Sequence, residues 1–210
     1  MDGPGWMASR PRSICAAGAP GWHGAARRAN QIAMSQIQDS PRTLIAASAI
    51  AARIDALADE IAARLPADFV MVVILNGAFM FAADLARALA RRDRHPTMEF
   101  VNLKSYGDAT ESTGQVRVLG TLPERLDGRA VLVVDDILDT GRTMHFARAL
   151  LAGLGANPVR LCVFLDKPAR RVAAIEADHV GFQVDDRFVV GYGLDHAKKW
   201  RGLPDLAAID

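Results

Sequence analysis

Residues 131–144, VLVVDDILDTGRTM, narrow the architectures open to this 210-residue chain more than any other stretch. The apolar run Ala130–Val134 has no polar alternate positions, so it reads as a strand covered on both faces, as in a parallel sheet. It meets Asp135 and Asp136, then Ile137-Leu138, then Asp139-Thr140-Gly141-Arg142-Thr143 ahead of helical residues. In an open α/β sheet, ligands sit at the carboxyl ends of the strands, which is where this loop falls. Thr, Gly and Thr entering a helix converge backbone N–H groups and hydroxyls at the positive end of the helix dipole, an arrangement that suits a phosphate. The G-x-x-x-x-G-K-[ST] spacing of a Walker loop is missing. Three carboxylates would repel a bare anion, but they accept hydrogen bonds from sugar hydroxyls and attract a divalent cation. A phosphorylated sugar bound with Mg²⁺ meets both conditions. The simpler alternative is an acidic, capped helix start.

The flanking pattern alternates helix with strand. Ile50, Ile54, Leu57, Ile61 and Leu65 share one helical face, with Ser40-Pro41 or Ser48 as candidate start signals. Phe69–Leu75 reads as a buried strand, Phe81, Leu85 and Leu89 as a second helix, and Met98–Leu103 as a strand. Lys104–Gln115 is a polar, Gly-bearing mobile loop before a short strand at Val116–Leu119. A helix over Thr143–Leu154, ended by Gly155, precedes strands at Val159–Leu165, Val180–Val184 and Phe188–Val190. The alternation predicts an α/β domain with a mostly parallel central sheet flanked by helices.

Composition divides the chain in two. Residues 1–33 contain 16 Gly, Ala and Pro, four Arg and one acid, without apolar periodicity. Such a stretch buries too little to offset its ordering entropy, so residues 1–33 are expected to be a disordered or dispensable extension and residues 34–210 the domain. The net charge of +1 gives no field favouring nucleic acid or an anionic membrane. No apolar run is long enough to span a bilayer. Cys15 and Cys162 lack metal-ligand spacing and fit a reducing, cytoplasmic setting.

The 131–144 stretch resembles the 5-phosphoribosyl 1-diphosphate (PRPP) signature of type I phosphoribosyltransferases. LDKPARR (165–171) and FVVGYGLDHAKKWRGLPDL (188–206) resemble the branch acting on 6-oxopurines. The resemblance implies that family's α/β fold, with a small hood built from the C-terminal segment. It also implies transfer of phosphoribosyl from PRPP to N9 of hypoxanthine or guanine, with xanthine in the same class, releasing pyrophosphate with the help of Mg²⁺. By the same resemblance, Asp135 and Asp136 accept the ribose hydroxyls and assist the metal, while Thr140, Gly141, Arg142 and Thr143 hold the 5-phosphate. Asp139 contacts PRPP and serves as the base at purine N7. Lys167 directs its ammonium at O6, Phe188 stacks on the base, Val189 reads its edge, and Asp195 completes the purine side and carries Mg²⁺. Arg201, on a helix, contacts pyrophosphate. Leu75-Asn76-Gly77 matches the pyrophosphate loop, where a non-proline cis peptide is usual. Asn76 departs from the basic residue common there, which leaves the backbone contacts and removes a side-chain charge. Ser105-Tyr106 matches a lid. Relatives are usually homodimers or homotetramers.

Each feature has a duller counterpart. Lys167, Arg170 and Arg171 can form a solvated basic turn, Phe188 a core residue, and Asp195 with Arg201 a structural pair. Cys162 in LCVFL reads as a buried small hydrophobe. The competing function is a regulator of the same fold that senses PRPP and binds nucleic acid. The chain offers that reading no basic stripe beyond Arg170-Arg171 and Lys198-Lys199.

Overall fold

The computed structural model describes residues 41–106, 115–119 and 125–209. The expected extension over 1–33, the start signal at Ser40 and the centre of the polar loop lie outside them. In chain order the elements are β1 (Arg42–Ile45), α1 (Ala47–Arg64), β2 (Val70–Leu75), α2 (Phe79–Ala90), β3 (Thr97–Tyr106), β4 (Gln115–Leu119), β5 (Val131–Leu138), α3 (Arg142–Gly153), β6 (Val159–Asp166), β7 (His179–Gln183), β8 (Val189–Val190) and β9 (Leu206–Ala208). A single 3₁₀ turn, Pro168–Arg170, follows β6.

The main sheet runs β4-β3-β2-β5-β6-β7, parallel throughout except for β4 at one edge. Side-chain alternation sends one set of residues to each face, and both faces are covered. Met71, Val73, Leu132, Val134 and Phe164 pack beneath α1 and α2, which bury Ile50, Ile54, Leu57 and Ile61, and Phe81, Leu85 and Leu89. Val70, Val72, Val131, Val133, Leu161 and Val163 pack against Met144, Ala147 and Leu151 of α3. The parallel order places the carboxyl ends of β2, β3, β5 and β6 at one edge of the sheet. Cys162 is fully buried there, and burial pushes its thiol pKa up.

A second sheet, β1-β9-β8, is antiparallel and three-stranded. The hood therefore takes β1 from the N-terminal side as well as the C-terminal strands. Two further sequence expectations change. Strand β5 does not stop at Val134 but carries both acids to Leu138, because Asp135, Ile137 and Leu138 stay in register with β6. The loop expected from Lys104 begins later, since Lys104, Ser105 and Tyr106 pair with Arg117, Val116 and Gln115.

Helix α1 also starts differently from its sequence signals. Its N-cap is Ala46, with no side-chain cap of its own, rather than Ser48. Asp205, 158 residues away, supplies the missing acceptor: Ala47 N–H donates to Asp205 Oδ1 at 2.8 Å, and Thr43 Oγ1 donates to Oδ2 at 3.3 Å. The helix start is thus fixed by a residue bordering β9 rather than by a local motif.

Candidate active site

A cavity of about 330 Å³ opens at the carboxyl edge of the sheet. Eight of the residues singled out in the sequence line it: Gly77, Asp136, Asp139, Lys167, Phe188, Val189, Asp195 and Arg201. Ile137, Arg170 and Leu194, which sequence reasoning did not select as site residues, line it as well. Ile137 and Leu194 sit inside motifs already recognised, but nothing in one sequence marks an apolar residue as cavity lining rather than core. Arg170 was legible only as part of a basic turn.

The loop after β2 is held between two close contacts. The Leu75–Asn76 peptide is cis, as the resemblance implied. A Cβ on Gly77 would lie 1.5 Å from Asp136 Oδ2, so only glycine lets the carboxylate pack there. On its other side, a Cβ on Gly193 would lie 2.2 Å from the Gly77 carbonyl oxygen. Gly193 has φ +101°, a conformation L side chains rarely adopt. The hood turn, the pyrophosphate-type loop and the acidic end of β5 are therefore in backbone-level contact.

Asp135 is 6% exposed, does not line the cavity, and accepts the Asp136 N–H at 2.9 Å. Asp136 accepts the Ile137 N–H at 2.8 Å and faces the cavity. Burial, and then the neighbouring carboxylate, hold the Asp135 pKa well above the usual range; burial also raises that of Asp136. A cation or sugar hydroxyls at this point would favour the ionised forms. Asp139 follows at the strand end. Its buried Oδ1 accepts no hydrogen bond, although Arg170 Nε lies 3.2 Å away as an ion pair.

Thr140 to Thr143 do not line this cavity and lead into α3. Gly141 is the N-cap and gives no side-chain cap, and the first turn contains no acid. The helix end that sequence reasoning assigned to a phosphate therefore has no built-in anion of its own.

Lys167 is not part of a solvated turn. It is 6% exposed, and its Nζ donates one hydrogen bond, to the Arg187 carbonyl at 2.6 Å. An ammonium has three donors, so two remain for an acceptor in the cavity. Phe188 is 52% exposed, which rules out a core role. Its ring meets His196 edge-to-face at 5.0 Å, and His196 stacks on Trp200 at 6.1 Å, an aromatic backing that the sequence reading missed. Arg201 is not helical. Positive φ at Ala197, Lys198 and Trp200 reverses the chain. Arg201 thereby reaches Asp195 in an ion pair and donates to the Gly193 carbonyl at 2.5 Å. Ser105 and Tyr106 end β3 at the same edge of the sheet.

Among the described residues no cluster of three or more His, Cys, Asp or Glu could hold a metal ion unaided. Mg²⁺ keeps several waters and usually takes one or two carboxylates plus substrate phosphates, so Asp136 and Asp195, which both face the cavity, fit that requirement.

A mostly parallel α/β sheet with a hood, an acidic strand end beside an uncapped helix start, and a buried lysine across a cleft define a protein that handles a sugar phosphate together with a flat, carbonyl-bearing ligand. The chain belongs to the phosphoribosyltransferase family: the phosphoribosyl transferase domain model matches residues 34–197. It is 36% identical to the hypoxanthine-guanine phosphoribosyltransferase of Bacillus subtilis, over 81% of this chain and 94% of that protein. It is 41% identical over 83% of its length to the bifunctional protein TilS/HprT of Listeria innocua, of which it spans only 27%. A hypoxanthine phosphoribosyltransferase crystal structure from Staphylococcus aureus superposes with a TM-score of 0.75 at 33% identity, covering 86% of this chain and 96% of that one.

Proposed function

We propose that the protein transfers the 5-phosphoribosyl group of PRPP to N9 of hypoxanthine or guanine, giving IMP or GMP and pyrophosphate. The observation that carries this reading is the buried Lys167 ammonium, with two unused donors, across one cleft from the unsatisfied Asp139 Oδ1. Lys167 suits a 6-oxo acceptor and would meet the 6-amino group of adenine donor to donor. Asp139 suits a ring N–H that must lose its proton as N9 attacks C1 of the ribose. Phe188 offers the stacking face and the Val189 backbone the edge contact. Asp136 takes the ribose hydroxyls, with the buried Asp135 behind it accepting the Asp136 N–H, and Thr140 to Thr143 with the start of α3 take the 5-phosphate.

Leu75-Asn76-Gly77 and Arg201 flank the departing pyrophosphate. Asp136 and Asp195 would hold Mg²⁺ together with substrate phosphates, and the ion would offset the charge of the leaving group. As the bond from C1 to the pyrophosphate oxygen breaks, positive charge develops on the ribose, and exclusion of water protects it from capture. Ser105 and Tyr106 are placed to contribute to that exclusion, at the carboxyl end of β3. We read the protein as cytoplasmic and homo-oligomeric, as its relatives' branch implies; no described helix is long and apolar enough to cross a membrane. The regulator reading gains nothing here, because Arg171, one of its basic residues, is turned inward to pair with Asp166.

Incubation with PRPP, Mg²⁺ and each of hypoxanthine, guanine, xanthine and adenine, followed by ultraviolet absorbance, tests the reading. Product from a 6-oxopurine and little from adenine is expected; folded protein that converts none of them refutes it. Asp139→Asn should lower kcat by about 10²-fold or more while the KM for PRPP changes little.

A further inference from the structure

Arg171 makes four polar contacts around the ends of β5 and β6, and the reaction outlined above gives it no role. Its Nε donates to the Asp139 carbonyl at 3.0 Å, Nη2 to the Leu138 carbonyl at 3.1 Å, and Nη1 to the Ile175 carbonyl at 2.6 Å. Nη2 also pairs with the Asp166 carboxylate at the end of β6. The arginine and aspartate side chains are only 16% and 20% exposed. One planar guanidinium thus joins the ends of β5 and β6 and holds the peptide of Asp139 from below.

The neighbouring contacts separate this function from substrate binding. Lys167 shares one acceptor with Arg171, the Leu138 carbonyl, to which its N–H donates at 3.0 Å, but its ammonium is held separately by the Arg187 carbonyl. The Thr140 carbonyl, at the start of the phosphate-type loop, accepts from the Val172 and Ala173 N–H groups at 3.0 and 2.9 Å. The Asp139 carbonyl is the one part of the turn that Arg171 Nε holds directly. We propose that Arg171 is a positioning residue, one that acts through the Asp139 backbone to aim the carboxylate at the purine proton and contributes mainly to kcat. This inference rests on the proposed transferase reaction. Lysine cannot replace the fork: its single nitrogen can keep the Asp166 pair but cannot also span the Leu138, Asp139 and Ile175 carbonyls.

The test uses the full chain, Arg171→Lys and Arg171→Ala. Steady-state kinetics with PRPP and hypoxanthine are normalised to folded protein by near-ultraviolet circular dichroism. A displacement of the base by about 1 Å should cost roughly 10- to 100-fold in kcat per folded molecule, with both KM values within about threefold of wild type. Guanidinium ion at non-denaturing concentration should restore part of the kcat of Arg171→Ala, and urea should not. The vacated position is reachable, because Arg171 and Asp166 also line a separate cavity of about 750 Å³. If Arg171→Ala does not fold, Arg171→Lys, which retains the ion pair, decides the matter. A kcat per folded molecule within about twofold of wild type, or a loss carried by KM alone, overturns the proposal. A wild-type protein that converts no 6-oxopurine refutes the underlying reaction instead, so the two failures are distinguishable.

Discussion

Replacing Gly193 by alanine should damage catalysis well beyond its effect on stability, and the structure gives the scale of both. Two costs arise. The first is backbone: at φ +101° an alanine is strained by about 1–2 kcal/mol, worth roughly 2–8 °C in Tm for a domain of this size. The second is contact. The new methyl would sit 2.2 Å from the Gly77 carbonyl oxygen, whereas ordinary contact begins at 3.4 Å, so the loop must retreat by about 1 Å. It cannot retreat freely, because the Asp136 carboxylate occupies the space where a Gly77 side chain would be. A shift of about 1 Å in a loop beside the reacting groups can cost about 10²-fold in kcat/KM.

Gly128→Ala is the matched control. Gly128 has φ +81° and nothing within 4 Å of its would-be Cβ, so it carries the backbone cost without the collision. Thermal melts and PRPP-dependent kinetics of both variants separate the effects. Both variants should lose Tm, Gly193→Ala the more because it adds the collision, with a large fall in kcat/KM only for Gly193→Ala. If Gly193→Ala retains kcat/KM within about twofold of the Gly128→Ala value, the argument from loop contact is wrong.

Lys167→Met should lower the hypoxanthine-over-adenine ratio of kcat/KM by about tenfold or more, since the donor–donor mismatch is worth about 1–3 kcal/mol; an unchanged ratio refutes the role of the ammonium. His179, whose ring nitrogens are buried without hydrogen-bond partners, has its pKa lowered from 6.5, chiefly by burial, against the opposing pull of Glu60 3.5 Å away. Below that value the unfolded chain binds the proton more readily, so the contribution of neutral His179 to stability is present above pH 6.5 and lost as pH falls beneath it. Urea melts from about pH 7.5 to 5 should therefore show a steeper fall for wild type than for His179→Gln, and parallel curves count against the assignment. Deleting residues 1–33, which we propose to be dispensable, should leave activity and Tm nearly unchanged; a large loss in either shows that the segment packs.

What could be read in advance follows how local the determining physics is. The doubly covered strands β2, β5 and β6 announce themselves as unbroken apolar runs. The helical faces of α1 and α2 follow from spacings of three and four, and the Asp-Thr-Gly-Arg-Thr loop from its residue types. Strands β1 and β9 gave no such signal: each has four residues or fewer, β1 forms only by pairing with a segment about 160 positions away, and β9 is held between β1 and the two-residue β8. The start of α1 was misplaced for the same reason, since its acceptor comes from Asp205. The helix assigned to Arg201 failed because three non-glycine residues take positive φ between Asp195 and Trp200, which no propensity predicts. Of the residues named from motifs, Gly77, Asp136, Asp139, Lys167, Phe188, Val189, Asp195 and Arg201 line the cavity, whereas Asp135 and Thr140 to Thr143 do not. The burial of Lys167, the reach of Arg171 and the His196–Trp200 backing of Phe188 are tertiary facts.

The central place of β9 in the hood sheet has a consequence for biosynthesis. The strand that joins β1 to β8, and the aspartate beside it that completes the start of α1, are translated after every other described element of the fold. The six-stranded layer can collapse while the polypeptide is still emerging, but the aromatic wall over the cleft must wait for Leu206–Ala208. A nascent chain stalled shortly before that point would carry a formed sheet and an unlatched pocket.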